Sequence, residues 1–264
     1  MRSLSRAVFL LLLASTPVLA SKPDEAALQA LWADQQKDSQ NHVAQAQAAA
    51  AFEQQFPSSP LVTIARGLEA WDLLESGNLE AARLLLEKMA SANSDPVASI
   101  GAEMARRWLT RLDREQVVTA LQKVYGQDLE YPDALSAVTE LPPAARPVMT
   151  DRWGTPWDYT PAAFKTLQTG DRQTFTLQSP KLGTTSDLKD ALARPYGSGF
   201  TFTPSKVMPS IGGKVVIVFK SPDGKSDSLS EGAAANDLAF AYLGDDILIL
   251  SSGDYWSLQP RPSS

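Results

Sequence analysis

The residues that punctuate secondary structure are divided unequally along this chain of 264 residues. Residues 21–140 contain ten Glu and four Gly, whereas residues 141–264 contain one Glu and eleven Gly. Glutamate keeps most of its rotamer freedom in a helix, while glycine disfavours helix interiors and supplies the backbone angles of tight turns. The first half is therefore predicted to be helical and the second to be built from strands and turns. Between them, Leu141-Pro142-Pro143-Ala144-Ala145-Arg146-Pro147 cannot continue a helix, because each proline lacks an N–H and obstructs the preceding turn. The expected fold class is α+β: an all-α helical-hairpin domain over residues 21–140, a Pro-rich linker over 141–147, and a small, mainly antiparallel β-sheet domain with one or two helices over 148–260.

Within the first half, Pro60, Pro96 and Pro132 recur at equal spacing, and sliding one interval onto the next pairs Ile64 with Ile100, Leu68 with Met104 and Leu85 with Leu121. Proline is favoured at the first helical position, so each unit reads as a proline-started helix, a turn and a second helix. The turns are expected at Ser76-Gly77-Asn78 and at Leu112-Asp113-Arg114. Residues 24–56 read as an earlier, degenerate hairpin broken near Asp38-Ser39-Gln40, with the Ala/Gln-rich stretch 35–55 forming an exposed helix or one whose alanines permit close packing. Ala70, Gly77-Asn78 and Ala82 occupy the small and turn positions of the better unit, and on these residues the first half resembles the tetratricopeptide class of helical repeats. In the second unit Arg106 and Val118 replace the two alanines. The resemblance implies a concave face that holds a peptide or another protein.

The first 20 residues read as a secretory signal peptide: Arg2 and Arg6, an apolar run over 7–14, and small residues at Val18 and Ala20 before a polar stretch. Cleavage after Ala20 would take the formal charge from −6 to −8 by removing the two arginines. A periplasmic or extracellular location follows as the expectation, with no transmembrane segment after cleavage. The acidic balance argues against a nucleic-acid partner, which requires a basic face. Cysteine is absent, which excludes disulfides, thiol nucleophiles, thiolate zinc sites and a lipoprotein anchor.

Past the linker comes Asp151-Arg152-Trp153-Gly154-Thr155-Pro156-Trp157-Asp158-Tyr159, the most specific string in the sequence. Gly154 and Pro156 constrain a turn. Trp157 and Tyr159 then fall on one face of a following strand and Asp158 on the other, because side chains alternate along a strand. A second strand is expected within Thr174-Phe175-Thr176-Leu177-Gln178-Ser179. Over residues 148–183 this pattern resembles the C-terminal region of the type II secretion major pseudopilin. That family usually has proline where Arg152 stands, and begins with a methylated apolar helix whose motif does not occur here, which implies a reused domain and not an ordinary filament subunit. In that family the following loop binds calcium; the matching Ser179-Pro180-Lys181-Leu182-Gly183-Thr184-Thr185 has no acid before Asp187, so the site looks lost. Asp223 and Asp227, around Pro222-Asp223-Gly224, are a second calcium candidate, weighed against an ordinary hairpin turn and ranked below it.

Further strands are expected over 214–220, 238–243, 247–250 and 255–258, with a helix near 185–192. The apolar run Val215-Val216-Ile217-Val218-Phe219 predicts a central strand covered on both faces. His42 is the only histidine; a histidine-dependent triad and a multi-histidine metal centre are set aside on that count, and His42 is expected on the surface. Ser186 and Lys189 match a Ser-x-x-Lys pair, but serine and lysine are frequent enough for a chance match and the accompanying motifs are missing. No catalytic or cofactor-binding residue is assigned. The expectation is an exported, non-enzymatic interaction or assembly protein of the bacterial envelope, beside type II secretion or pilus-like machinery, contacting another protein or peptide through its helical half. The alternative is an extracellular carbohydrate-binding module or hydrolase using Asp/Glu and exposed aromatics among Trp153, Trp157, Tyr196 and Trp256.

Overall fold

The computed structural model describes residues 22–37, 40–162, 173–197, 200–209, 214–220, 223–235 and 238–262; the expected signal segment lies outside them. The protein is a mixed α and β structure with antiparallel sheets. Its helices are α1 (Pro23–Lys37), α2 (His42–Gln55), α3 (Val62–Glu75), α4 (Leu79–Ala90), α5 (Pro96–Asp128) and the short α6 (Leu188–Leu192). The strands pair as a ribbon of β1 (Asp158–Pro161) with β2 (Phe175–Gln178), a sheet β3-β4-β5 (Thr203–Met208, Val216–Lys220, Ser226–Ser230), and a sheet β6-β7-β8-β9 (Ala234–Ala235, Leu238–Leu243, Ile247–Ser251, Trp256–Pro260).

The turn between α3 and α4 forms where the glycine predicts it. Gly77 adopts φ +77°, the Asn78 N–H donates to Leu73 O at 2.8 Å, and the Gly77 N–H donates to Leu74 O at 3.1 Å, a Schellman closure that satisfies the last carbonyls of α3. The expected turn at Leu112-Asp113-Arg114 does not form. Residues 96–128 are one helix, started by Pro96 and capped by Asp95, whose carboxylate accepts the Ala98 N–H at 2.8 Å. No glycine or proline interrupts the helix at 112–114, Leu112 and Asp113 are buried, and Asp113 is held by Arg83 and Arg152. The repeat spacing therefore marks helix starts but not a second hairpin. α5 ends at Leu129, which takes a left-handed conformation at φ 58° while 70% exposed. An L-residue there is strained by about 1–2 kcal/mol. Leu129→Gly is expected to stabilise the protein by up to about 1 kcal/mol after glycine's greater chain entropy is deducted, read as a rise in Tm of about 2–4 °C by calorimetry.

α2 packs on α3, α3 on α4 and α4 on α5. Ala46 and Ala49 are buried in α2, so in this part of the Ala/Gln-rich stretch the alanines permit close packing on α3. The main core contains helical residues Leu28, Ile64, Leu68, Trp71 and Trp108 together with Ile247, Ile249 and Trp256 from the four-stranded sheet. Leu248 and Leu250, on the other face of β8, join Phe240, Ile217 and Phe219 between the two larger sheets. This sheet is thus the middle of three layers. The strand covered on both faces is β8, not the expected β4: Ile217 and Phe219 are buried, but Val216 and Val218 on the opposite face are only half-buried. A third core lies against the C-terminal half of α5 and contains Val117, Leu121, Val138, Trp157 and Leu177. Leu141, in the expected linker, is buried in it.

Core packing crosses the composition boundary at 141–147. Glu25 in α1 is fully buried; its carboxylate accepts the Tyr242 hydroxyl at 2.9 Å and the Asp245 N–H at 3.0 Å. The α5 side chains Arg107, Arg111 and Arg114 reach Asp254, Thr185 O, Leu177 O and Asp187 in the second half.

Candidate functional site

Most of the Asp151 to Tyr159 string serves as a clamp on α5. Asp151 is buried; Oδ1 accepts the N–H groups of Trp153 (3.0 Å) and Thr155 (2.9 Å), and Oδ2 accepts the Ser179 hydroxyl at 2.7 Å. Gly154 sits at φ +81°, a conformation disfavoured for residues with a Cβ. Pro156 is exposed and bridges to Thr150. Arg152, the departure from the pseudopilin pattern, pairs with Asp113 of α5, and the Trp153 indole N–H donates to the Glu103 carboxylate at 3.2 Å. Trp157 is buried and donates to Val148 O at 2.9 Å, while the Tyr159 hydroxyl donates to Pro132 O at 2.8 Å. Burial pushes the Tyr159 hydroxyl up to about 12. Every polar group of these aromatic side chains is thus used within the fold.

Of the four aromatics that the alternative reading needs exposed, Trp157 and Trp256 are buried in separate cores, and Tyr196 and Trp153 are half-buried. Large aromatics gain most from burial, and Trp157 packs against the C-terminal half of α5 while Trp256 packs against α3. Asp223 pairs with Lys225 at 2.9 Å, and Asp227 accepts the Ser228 N–H at 2.8 Å on exposed β5. Among the described residues no group of three or more His, Asp or Glu side chains is placed to hold a metal ion. Ser186 is buried; its hydroxyl donates to Gly183 O at 2.6 Å and accepts the Ser179 N–H at 3.0 Å, while Lys189 is exposed. That serine staples a loop.

His42 is not an ordinary surface residue. It begins α2 with a side chain only 19% exposed, and its Nδ1 lies 2.8 Å from Oδ1 of Asp72, which is fully buried in α3. A carboxylate can only accept, which places a proton on Nδ1 and leaves Nε2 on the edge of the ring away from Asp72. Gln35, near the end of α1, donates to the same Oδ1 at 3.1 Å. A single histidine suffices for such a pair, so the histidine count excluded less than expected.

His42 and Gln35 line a cleft of about 370 Å³ with Trp71 and Glu75 of α3 and residues 192–196 after α6. Tyr196 meets Trp71 edge-on at 5.4 Å, Tyr255 at 5.2 Å and Trp32 at 5.8 Å between ring centroids. The Tyr196 hydroxyl accepts the Trp256 N–H at 3.1 Å, and burial raises its pKa, so it stays protonated. Burial also raises Asp72, against the opposing pull of its bonds to His42 and Gln35; it raises Glu75 as well, with His42 opposing the shift and Asp72 adding to it.

No family model, no curated protein and no solved structure matches this chain. The chemistry of the cleft therefore rests on its own residues. It is lined by His42, which Asp72 holds from behind, and by the Glu75 carboxylate, with Trp71 and Tyr196 beside them. Its polar partners come from α1, α2 and α3 at wide sequence separations, and none belongs to a local motif.

A raised aspartate contributes its stability below the unfolded-state value and loses it as pH rises through the folded-state value. Asp72→Asn keeps an acceptor for His42 and Gln35 without the buried charge. The variant is expected to melt higher than the parent at pH 7, with the difference closing as pH falls below about 3.8, the ordinary aspartate value. Melting curves from pH 3 to 7 measure it; a variant less stable than the parent at neutral pH would contradict the burial argument.

Proposed function

We propose that this is an exported envelope protein that acts by holding an extended segment of another protein in a groove along its helical half. The observation that carries the reading is the continuity of three cavities. The cleft at His42 adjoins a second cavity of about 460 Å³ through Glu75, Leu192 and Ala193, and that one adjoins a third of about 450 Å³ through Leu79 and Glu115. The groove thus passes the turn between α3 and α4 and ends beside α5 and residues 144–147. Its walls are rigid helices and its floor carries apolar side chains such as Leu79, Leu112 and Leu188, with charged groups at the edges. Grooves of this kind suit a peptide, whose backbone needs polar partners at intervals and whose side chains need pockets.

The pair of helices α3–α4, with the small residues Ala70 and Ala82 buried between neighbours, supports a tetratricopeptide-like mode of peptide holding. The signal-like residues 1–20 support export, and the Asp151 to Tyr159 string supports a place beside type II secretion or pilus-like machinery.

Photo-crosslinking tests the reading. A benzophenone amino acid at Leu79, in the groove, is expected to label one defined segment of a partner protein in the cell envelope. The same probe at Leu84, 68% exposed on α4 and outside the groove, is expected not to label that segment. Equal labelling from both positions, or none from Leu79, overturns the proposal.

A further inference from the structure

We propose that the His42 end of the groove is a receptor for a basic side chain, a guanidinium or ammonium group carried by the bound segment; this rests on the groove reading above. The argument begins with how this protein treats its buried acids. Asp113 has donors on both oxygens from Arg83 and Arg152. Glu25 has donors on both from Tyr242, Lys22 and the Asp245 N–H. Asp151 has donors on both from two N–H groups and Ser179. Asp72, 0% exposed, departs from this pattern: His42 and Gln35 both bond to Oδ1, and Oδ2 has no partner among the described residues. A buried carboxylate left half-satisfied is costly, and fold stability alone would select a second donor.

Glu75 lies one turn from Asp72 on α3 and has no ion pair among the described residues. The cleft presents the Glu75 carboxylate as an acceptor, with the outer edge of the His42 ring beside it. Two carboxylates stand one turn apart, and among the described residues His42 is the one basic side chain that pairs with either of them. Trp71 and Tyr196 supply ring surface of the kind that attracts a cation. A group with several N–H donors and a positive charge meets all of these demands, and a neutral or anionic one does not. Glu75 and His42 would touch it; Asp72 would position the imidazole and add to the field from behind. Arg194, exposed at the rim and in no ion pair among the described residues, is the resident cation that would compete.

The test titrates the full chain with N-acetyl-arginine amide, with its neutral isostere N-acetyl-citrulline amide, and with spermidine, following tryptophan fluorescence and heat. The arginine probe is expected to bind saturably and about tenfold more tightly than citrulline. Glu75→Gln, which removes a charged acceptor, and Asp72→Asn, which removes the charge behind the ring, are each expected to weaken it about fivefold or more, while Glu75→Gln keeps the parent's melting temperature and Asp72→Asn melts higher. Arg194→Gln is expected to tighten it, a gain that misfolding cannot produce. Equal affinity for citrulline, or unchanged affinity in Glu75→Gln, overturns the receptor. Spermidine binding more tightly than the arginine probe overturns the assignment to a peptide side chain. Cation binding that survives the absence of labelling at Leu79 would isolate failure in the groove proposal, and labelling without cation binding would isolate it here.

Discussion

Asp254→Ala is expected to destabilise the protein by about 3–5 kcal/mol, measured by urea unfolding at pH 7, because it strands a buried arginine. Arg111 is fully buried in α5. Its Nη1 and Nη2 donate to the two oxygens of Asp254, each at 2.9 Å, Nε donates to Thr185 O at 2.9 Å, and the guanidinium lies 4.5 Å from the Trp108 ring centre. Arg107 adds a further bond to the same carboxylate at 2.8 Å. A forked pair of this kind loses more than the bond energy when one member goes, since the survivor remains charged and out of water. Replacing both members with apolar residues, as Arg111→Met with Asp254→Leu, should recover much of the loss. Burial opposes ionisation of Asp254, but Arg111 and Arg107 outweigh it and hold the carboxyl below its ordinary value of 3.8. A depressed carboxylate contributes stability above its unfolded-state value and loses it as pH falls through the folded-state value. The difference between parent and variant should therefore shrink below about pH 3.8. A pH-independent difference would show that lost packing, not charge, sets the effect.

Trp256→Ala is expected to cost about 3–5 kcal/mol, the range for removing a large aromatic from a core. Trp256 is 0% exposed, and its indole lies against α3 at Gly67, where an added methyl would overlap the ring. The contact joins the last strand to the helical half. Gly67→Ala tests the same contact from the other side. Alanine gains about 1 kcal/mol in helix propensity over glycine, yet the overlap is with a fully enclosed ring, and overpacking of this sort costs about 1–3 kcal/mol. Net destabilisation is expected, and a stabilised Gly67→Ala would show that the ring can move aside. The indole Nε1 of Trp256 has no hydrogen-bond partner among the described residues. Trp256→Phe removes that unsatisfied donor as it opens a smaller void, so its cost should fall well below that of alanine. Chemical denaturation of the three variants measures the series.

Much of the local structure was legible. Gly77 supplies a left-handed residue, and α3 ends there; Asp95-Pro96 supplies a cap and a fixed φ, and α5 begins there. The strands at 238–243 and 247–250 were visible as short apolar runs between Gly and Asp, because turns select those residues. The failures share one cause. Leu112-Asp113-Arg114 was read as a turn from its spacing to the previous repeat, yet Asp113 is kept inside a continuous helix by Arg83 and Arg152, residues 30 and 39 positions away. Val216 and Val218 looked like core, but the layer that would cover their face lies against β8 instead. Gln35, His42 and Asp72 meet across three helices, with nothing local to mark them.

The amino-acid sequence by itself determined several helix and strand ends, such as the turn at Gly77 and the start of α5 at Pro96, because glycines and prolines act through their immediate neighbours. It also determined the change from helix to sheet near residue 141. Tertiary structure alone decided that this change is not a change of core. Apolar residues are drawn together by area removed from water, without regard to chain distance. Trp256 therefore packs on Gly67, Asp254 neutralises Arg111, and Glu25 holds Tyr242. The same indifference to sequence distance placed His42 against Asp72 at the mouth of a cleft.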